Sequence, residues 1–419
     1  MTGREQINPP DWMTSADTAR LFGTLSDAGA SVRFVGGCVR DAVLGRSVKD
    51  LDVATDAEPN RVLEILGEQM IRAVPTGIEH GTVTAIPDAR PFQITTLRRD
   101  VATDGRRATV EYTNDWVEDS RRRDFTFNAL SADIDGIVYD YTDGITDLNE
   151  GRVRFIGKAT DRITEDQLRI LRFYRFQAHY GKTDPDPDAV AACSANLGSI
   201  QALSGERIWS EFSRTLIAPE PSQVFELMEK SGLLRLLLPV RKSVSRLTAL
   251  AALETMVKLD PDPVRRLTAL VQPDRSEASQ IATRLRLSKE ETRRFDDLSA
   301  RCGETSAGMN DVALRRSLYT LGPERFRELV LLDWANQIVM EPARVTEATA
   351  AWKETWDKAA SSTPPEFPLN GEDVKASGIE EGPDVGEILK DIEEWWVEQA
   401  FRPDREACVE RLRVIVRRR

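Results

Sequence analysis

Between Ser31 and Gly157 the apolar positions come in short bursts, and after Thr160 they come in helical stripes. In the first part SVRFV, LDVAT, HGTVTAI, FQITTL and ATVEY are brief, rich in β-branched residues and bounded by Gly, Pro or Asp. That pattern predicts strands at 31–35, 51–55, 80–86, 92–97 and 108–112. The segment from Glu58 to Gln69 opens with Pro59 and gathers Val62, Leu63, Ile65 and Leu66 on one side, as a helix packed over a sheet does. Beyond Thr160, ITEDQLRILRFYRFQAHYG and GERIWSEFSRTLIAPEPSQVFELMEKSGLLRLLLPV are amphipathic with Gly or Pro stops, and LSKEETRRF opens on the capping-box pattern Ser288-x-x-Glu291. The polar run KAASSTPPEFPLNGED, 358–373, cannot continue a helix through its prolines and predicts a linker into a last helical unit. The fold class is α+β: a mixed-sheet head over 14–157, then a helical neck over 158–240, a body over 241–357, and a linker with a helical tail over 358–419.

Composition narrows the chemistry. A length of 419 residues calls for several cores, and 41% hydrophobic with 30% charged residues is ordinary for a soluble protein. No apolar run approaches the roughly 20 residues that cross a bilayer, and the opening MTGREQINPPDW lacks a signal peptide's layout. The expectation is a cytoplasmic chain with no membrane partner. Cys38, Cys193, Cys302 and Cys408 are scattered, which indicates neither a disulfide framework nor a zinc knuckle. Only His80 and His179 are present, which argues against a His-rich metal site or a Ser-His-Asp hydrolase and points to chemistry run on carboxylates and arginines. The net charge of −12 argues against general nucleic-acid coating, yet LRRD, DGRRA, SRRRDF, LRILRFYRF and the terminal RLRVIVRRR concentrate arginine in patches suited to a few specific phosphates. The terminal run reads better as a solvated helix face.

The decisive stretch is FVGGCVRDAVLGRSVKDLDVAT, 34–55. A strand runs into Gly36-Gly37, and the next residues are helix-compatible until Gly45. Two glycines let backbone approach a phosphate, and Arg40 falls in the turn that follows. Alone this is a tight turn. Asp50-Leu51-Asp52 follows in a strand whose period of two aims both carboxylates at one side, a repulsion that a divalent cation or a proton must resolve. Mg²⁺ carrying a nucleoside triphosphate is a natural resolver. Farther on, Asp166 and Arg169 are three apart in EDQLR, a spacing that places both on one helix face, with Arg172 and Arg175 continuing it. Without the head motifs that helix reads as a salt-bridged surface over a stripe of Leu168, Leu171 and Phe176.

Gly-Gly, twelve residues, and Asp-x-Asp resembles the DNA polymerase β-like nucleotidyltransferase superfamily. RRDFTFNAL at 122–130, EDQLRILRFYRF at 165–176 and ERIWSEFSRTL with GLLRLLLP are similar to the ordered motifs of class II tRNA nucleotidyltransferases, the CCA-adding enzymes and their poly(A) polymerase relatives. The resemblance implies addition of CMP and AMP to the tRNA 3′ end. Its partners would be tRNA, CTP and ATP, with no DNA. It implies that Gly36, Gly37 and Arg40 hold the triphosphate, that Asp50 and Asp52 are catalytic and ligate Mg²⁺, and that Arg123 and Asp124 contact the nucleotide. Asp166 and Arg169 would form a protein template for the base edge of C or A, and Arg172 and Arg175 would meet phosphates. Relatives restricted to poly(A) synthesis or to the C or A step share these motifs, and a non-catalytic RNA-binding protein of the same fold is the alternative of another class. Two positions depart from the family. Gln93 in FQITTL stands where relatives often carry Glu, leaving Glu111, Asp133, Asp140 or two aspartates alone to complete the site. Asp143 replaces a glycine in DYTDG, which predicts a stiffer or differently capped hinge. RRDVATDGRRATVEY, 98–112, with Gly105, corresponds to the family's flexible loop.

Overall fold

The computed structural model describes residues 3–103 and 108–418. The chain forms two compact units that divide between Pro239 and Val240. In the first, the strands are β1 Gly3–Gln6, β2 Val32–Val35, β3 Leu51–Thr55, β4 Arg72–Gly77, β5 Thr82–Ile86, β6 Phe92–Thr96, β7 Arg98–Thr103, β8 Ala108–Tyr112, β9 Ser131–Ala132 and β10 Ile137–Asp140. Eight of them make one sheet in the order β1-β10-β9-β2-β3-β6-β5-β4, and β7 with β8 make a separate ribbon. β3 and β6 run parallel while β2 and β3 run antiparallel, so the sheet is mixed. All five expected strands are present. β1, β4, β7, β9 and β10 were not anticipated, because GREQ, RAVPTG, RRDVAT, SA and IVYD are too polar or too short to show a period of two. What makes them strands is a partner. β1, for example, is held by its antiparallel register with β10.

Helix Pro59–Glu68 starts with proline as expected and buries Val62, Ile65 and Leu66 against the sheet, with Leu63 half-buried at the flank. Leu51, Val53, Ala54 and Thr55 of β3 are buried, so Asp52 is the one charged and the one incompletely buried residue of a core strand. After the sheet, an aromatic cluster fastens helix Leu168–Tyr180 to the loop around Phe125 and Phe127. The Phe176 ring lies 5.1 Å from Phe125 and 5.4 Å from Phe127, and Phe173 stacks at 5.9 Å on Phe155. That helix packs in turn on helix Gly205–Leu216.

The second unit is helical throughout its described residues, from Val244–Val257 to Arg405–Arg418. Ser288 and Glu291 form the anticipated capping box, and 362–370 contain neither helix nor strand. Buried Glu254 accepts hydrogen bonds from both Arg265 (2.8 Å) and Arg266 (2.7 Å).

The DYTDG turn explains its own departure. Asp143 occupies the left-handed region at φ 61°, ψ 28°, which aspartate tolerates better than most residues. Asp143 makes no capping bond. Asp140 accepts instead from the backbone N–H groups of Thr142, Gly144 and Ile145 (2.9, 3.0 and 2.9 Å), so the hinge is capped from an unexpected position. Gly144 has no such latitude: a Cβ there would stand 2.3 Å from the Thr126 carbonyl oxygen and 2.9 Å from Phe127 Cα. Gly144→Ala is therefore expected to cost about 2 kcal/mol or more through backbone overpacking. Asp143→Gly should stay within about 1 kcal/mol. Urea unfolding of the two variants checks the contrast.

Candidate active site

At the end of β2 the chain turns through Gly36, at φ 72°, ψ −129°, a region closed to side chains. The Gly36 N–H donates to the Leu130 carbonyl at 3.1 Å, and helix Gly37–Val43 follows. Arg40 is buried. Its guanidinium donates to Asn128 Oδ1 at 2.7 Å and to both oxygens of Asp41 at 3.0 and 2.9 Å, and lies over the Tyr180 ring at 4.4 Å. Tyr180 also donates to Asp41 Oδ1 at 2.8 Å. The side chain is held by groups from three segments, at Asp41, Asn128 and Tyr180.

The strand expected to carry both aspartates begins at Leu51, so only Asp52 lies in the ladder. Asp50, exposed, sits just before it. Both nonetheless line one cavity of about 420 Å³. Burial pushes the Asp52 carboxyl up from its ordinary range, the Arg123 charge pulls it down, and the neighbouring Asp50 pushes it up again. Neither carboxylate group has a hydrogen bond or ion pair among the described residues, although the Asp52 carbonyl accepts from Cys38 Sγ at 3.5 Å. The cavity also brings together Gly37, Arg40, Arg172 and Arg175. Gly36, Arg123, Asp124, Asp166 and Arg169 do not line it.

Of these, Asp124 touches the lining through Arg172 and Asn128, and Arg123 pairs with Asp119. Asp119, in helix Trp116–Arg121, pairs with Arg122 at 2.7 Å and with Arg123 at 3.0 Å. Burial favours its neutral form, but Arg123 and Arg122 outweigh burial and lower its pKa. Asp124 is buried. It accepts from Asn128 Nδ2 at 3.1 Å and from Arg172 Nε at 2.5 Å, and although burial acts upward, Arg172 and its hydrogen bonds bring its pKa down. Glu211, also buried, stands 3.8 Å from Arg172 Nη1 and 2.6 Å from Arg175 Nε. Desolvation, with only part returned by Glu211, lowers the Arg175 guanidinium to about 10.

Asp166 and Arg169 correct the expectation of a shared helix face. Helix Ala159–Glu165 ends before Asp166, whose backbone is extended at φ −151°, ψ 109°, and the next helix starts at Leu168. Asp166 accepts the Leu168 N–H at 3.1 Å, acting as a cap where a helix interior was expected, and pairs with Arg207 at 3.0 Å. Arg169 pairs with Glu165 and donates to the carbonyls of Arg162 at 2.9 Å and Arg122 at 3.3 Å.

Gln93 is the residue of β6 opposite Asp52 in the parallel register, and it is exposed. None of the three carboxylates considered as its replacement reaches the cavity. Glu111 pairs with Arg99 at 2.9 Å, Asp133 accepts two backbone N–H groups and the Tyr139 hydroxyl, and Asp140 caps the turn described above. Among the described residues no group of three metal-ligating side chains occurs. Gly105 lies outside the described residues. Asp41, Asn128, Asp119 and Glu211 were missed from sequence. The neighbour pair Arg40-Asp41 and the i+3 and i+4 spacing of Asp119 to Arg122 and Arg123 were available as signals, whereas Asn128 and Glu211 meet their partners only in space.

Residues 32–154 match the family model of the poly A polymerase head domain, and residues 184–244 match that of a probable RNA and SrmB-binding site of polymerase A. The chain is 32% identical over 394 residues to CCA tRNA nucleotidyltransferase 1, mitochondrial, of Homo sapiens, covering 90% of this chain and 85% of that protein. It is 31% identical over 384 residues to the CCA-adding enzyme of Streptococcus sanguinis, covering 91% and 92%. Its fold is similar to that of the Bacillus stearothermophilus CCA-adding enzyme in complex with CTP, with a TM-score of 0.68 at 23% identity over 98% of both chains.

The Asp52 shift has a consequence for stability. Its folded pKa is raised above 3.8, so the ionised form is the disfavoured one in the fold, and stability from this group falls as pH rises from 3.8 through the raised value. Asp52→Asn is expected to melt a few degrees higher than wild type at neutral pH without divalent cation, with the difference closing at acid pH. Calorimetry across that range measures it.

Proposed function

The chain belongs to the class II tRNA nucleotidyltransferase family, and from that premise we infer that it builds or repairs the CCA end of tRNA, adding CMP and AMP from CTP and ATP without a nucleic-acid template. The observation that carries the reading is the convergence of Asp50 and Asp52, carboxylates without a protein partner among the described residues, in a nucleotide-sized cavity shared with Gly37, Arg40, Arg172 and Arg175. In the reaction the 3′ oxygen of the RNA bonds to the α-phosphorus and the bond from that phosphorus to the β-bridging oxygen breaks, releasing pyrophosphate.

The donor set fits Mg²⁺. Two hard carboxylates, one half-buried and repelled by the other, suit a cation that takes one or two protein oxygens and fills its shell with phosphate and water. When bound, Mg²⁺ supplies charge neutralisation at the phosphates and a lower pKa for the attacking hydroxyl. In our proposal Asp50 and Asp52 hold it, and Gly36 and Gly37 keep the turn free of side chains so that phosphate can approach. Arg40, locked by Asp41 and Asn128, presents a fixed positive edge. Arg123 and Asp124 flank the sugar. Asp166 accepts from the exocyclic amine of cytosine or adenine and Arg169 donates to a ring acceptor, each exchanging or sharing its contact with Arg207 or Glu165. Segments 158–240, 241–357 and 358–419 act as neck, body and tail that grip tRNA by shape and backbone phosphate. We place the work in the cytoplasm, supported by four free cysteines as a reducing compartment leaves them.

Transcripts ending in the discriminator, in C or in CC, each offered single nucleotides, should take CMP, CMP and AMP respectively. Untemplated AMP runs on any RNA would mean poly(A) synthesis, and no incorporation would mean a fold retained without catalysis. Asp50→Ala should reduce incorporation by at least about a hundredfold while tRNA binding stays near wild type. Arg169→Ala should admit UTP or GTP, which misincorporation kinetics would detect.

A further inference from the structure

Five cationic side chains line the cavity: Arg40, Lys49, Arg172, Arg175 and Arg214. Three already have carboxylates. Arg40 is gripped by Asp41, Arg172 by Asp124, and Arg175 by Glu211. Their charge is offset in part by these carboxylates, so an anion entering the cavity must share them.

Arg214 and Lys49 are the exceptions. Both are exposed at the cavity, and neither head group has a hydrogen bond or an ion pair among the described residues. Arg214 lies in the last turn of helix Gly205–Leu216, and its carbonyl meets His179 Nε2 at 2.7 Å, which ties that turn to helix Leu168–Tyr180. Lys49 directly precedes Asp50. Arg214 stands near enough to the paired arginines that its charge, after desolvation, Glu211 and Arg172, helps drive the Arg175 guanidinium down. Crowding of this kind is relieved by an anion.

We infer that Arg214 and Lys49 bind the terminal phosphates of the incoming nucleoside triphosphate and hold the departing pyrophosphate; this deepens, and rests on, the nucleotidyltransferase reading. Two unpaired carboxylates and two unpaired cations on one cavity form the complement of a metal-bound triphosphate, with the acids for the metal and the bases for phosphate oxygens. The same phosphate chemistry occurs on the RNA backbone. The RNA 3′ end must itself reach this space of about 420 Å³, but two cations beside two unpaired acids match a metal-bound triphosphate, so the nucleotide is the source we assign.

The test uses the full chain and Arg214→Gln, Lys49→Gln, their double variant and Arg214→Lys. Calorimetric titration measures binding of CTP, CMP, inorganic pyrophosphate and tRNA. Each glutamine variant should weaken CTP and pyrophosphate about tenfold, the scale of one charge-assisted hydrogen bond. CMP and tRNA affinities should hold, Arg214→Lys should recover most of the loss, and melting temperatures should match wild type because both side chains are exposed. Unchanged CTP and pyrophosphate binding in the double variant, beside a wild type that binds CTP and incorporates CMP, overturns this inference and leaves the function standing. Loss of tRNA affinity with CTP binding intact assigns the pair to RNA and also overturns it. A wild type that binds no CTP removes both.

Discussion

The contact between Asp124 and Arg172, at 2.5 Å, joins the loop that follows helix Trp116–Arg121 to the middle of helix Leu168–Tyr180. On one side Asn128 links Asp124 to Arg40 and so to the glycine turn; on the other Glu211 continues the chain of charge to Arg175 and helix Gly205–Leu216. Four segments far apart in sequence are therefore positioned by one run of hydrogen bonds and ion pairs. A buried pair like this is weak as a source of stability, since desolvation offsets most of its attraction, but breaking one member leaves an uncompensated charge. Its value is geometric. It makes the cavity's arginines rigid while the aromatic cluster of Phe125, Phe127 and Phe176 supplies the burial that holds the helix in place.

Unlike that paired network, the carboxylates of Asp50 and Asp52 on the same cavity have no partner among the described residues. Asp52 interrupts a strand whose other residues are buried, and its charge is opposed both by desolvation and by Asp50. A fold optimised for stability alone would carry an apolar or amide residue there. Retaining the carboxylate therefore carries a cost in stability, which the proposed role of Asp52 as a cation ligand would offset. Gln93, directly opposite in the register, adds an oxygen and a nitrogen without adding a third charge, so the repulsion to be relieved is that of two acids only.

Misreadings of the site share one origin. Asp166 and Arg169 looked like one helix face because spacing within a chain assumes the helix continues, and it does not: an extended residue at Asp166 separates two helices. Arg40, Arg172 and Arg175, expected to meet phosphates, carry carboxylate partners that the sequence does not show, because it lists charges without their neighbours. Asp41 is adjacent and could be seen, but Asp124, Asn128 and Glu211 arrive through the fold. The short strands β1, β9 and β10 were invisible for a similar reason, since a strand of two to four residues exists only by virtue of the ladder beside it.

What the amino-acid order determined by itself is everything carried by local chemistry: strand bursts giving way to helical stripes, the glycine turn, the aspartate pair, the proline-started and capped helices, and with the ordered motifs the family. Each depends on residues within a few positions of one another, where backbone geometry leaves little choice. Tertiary structure alone decided which charges are spent and which remain available. Pairing energy depends on distance and burial across segments far apart in the chain, so only the folded molecule could show Arg40, Arg172 and Arg175 each paired with a carboxylate, Arg214 and Lys49 without one among the described residues, and two unpaired acids lining the same cavity.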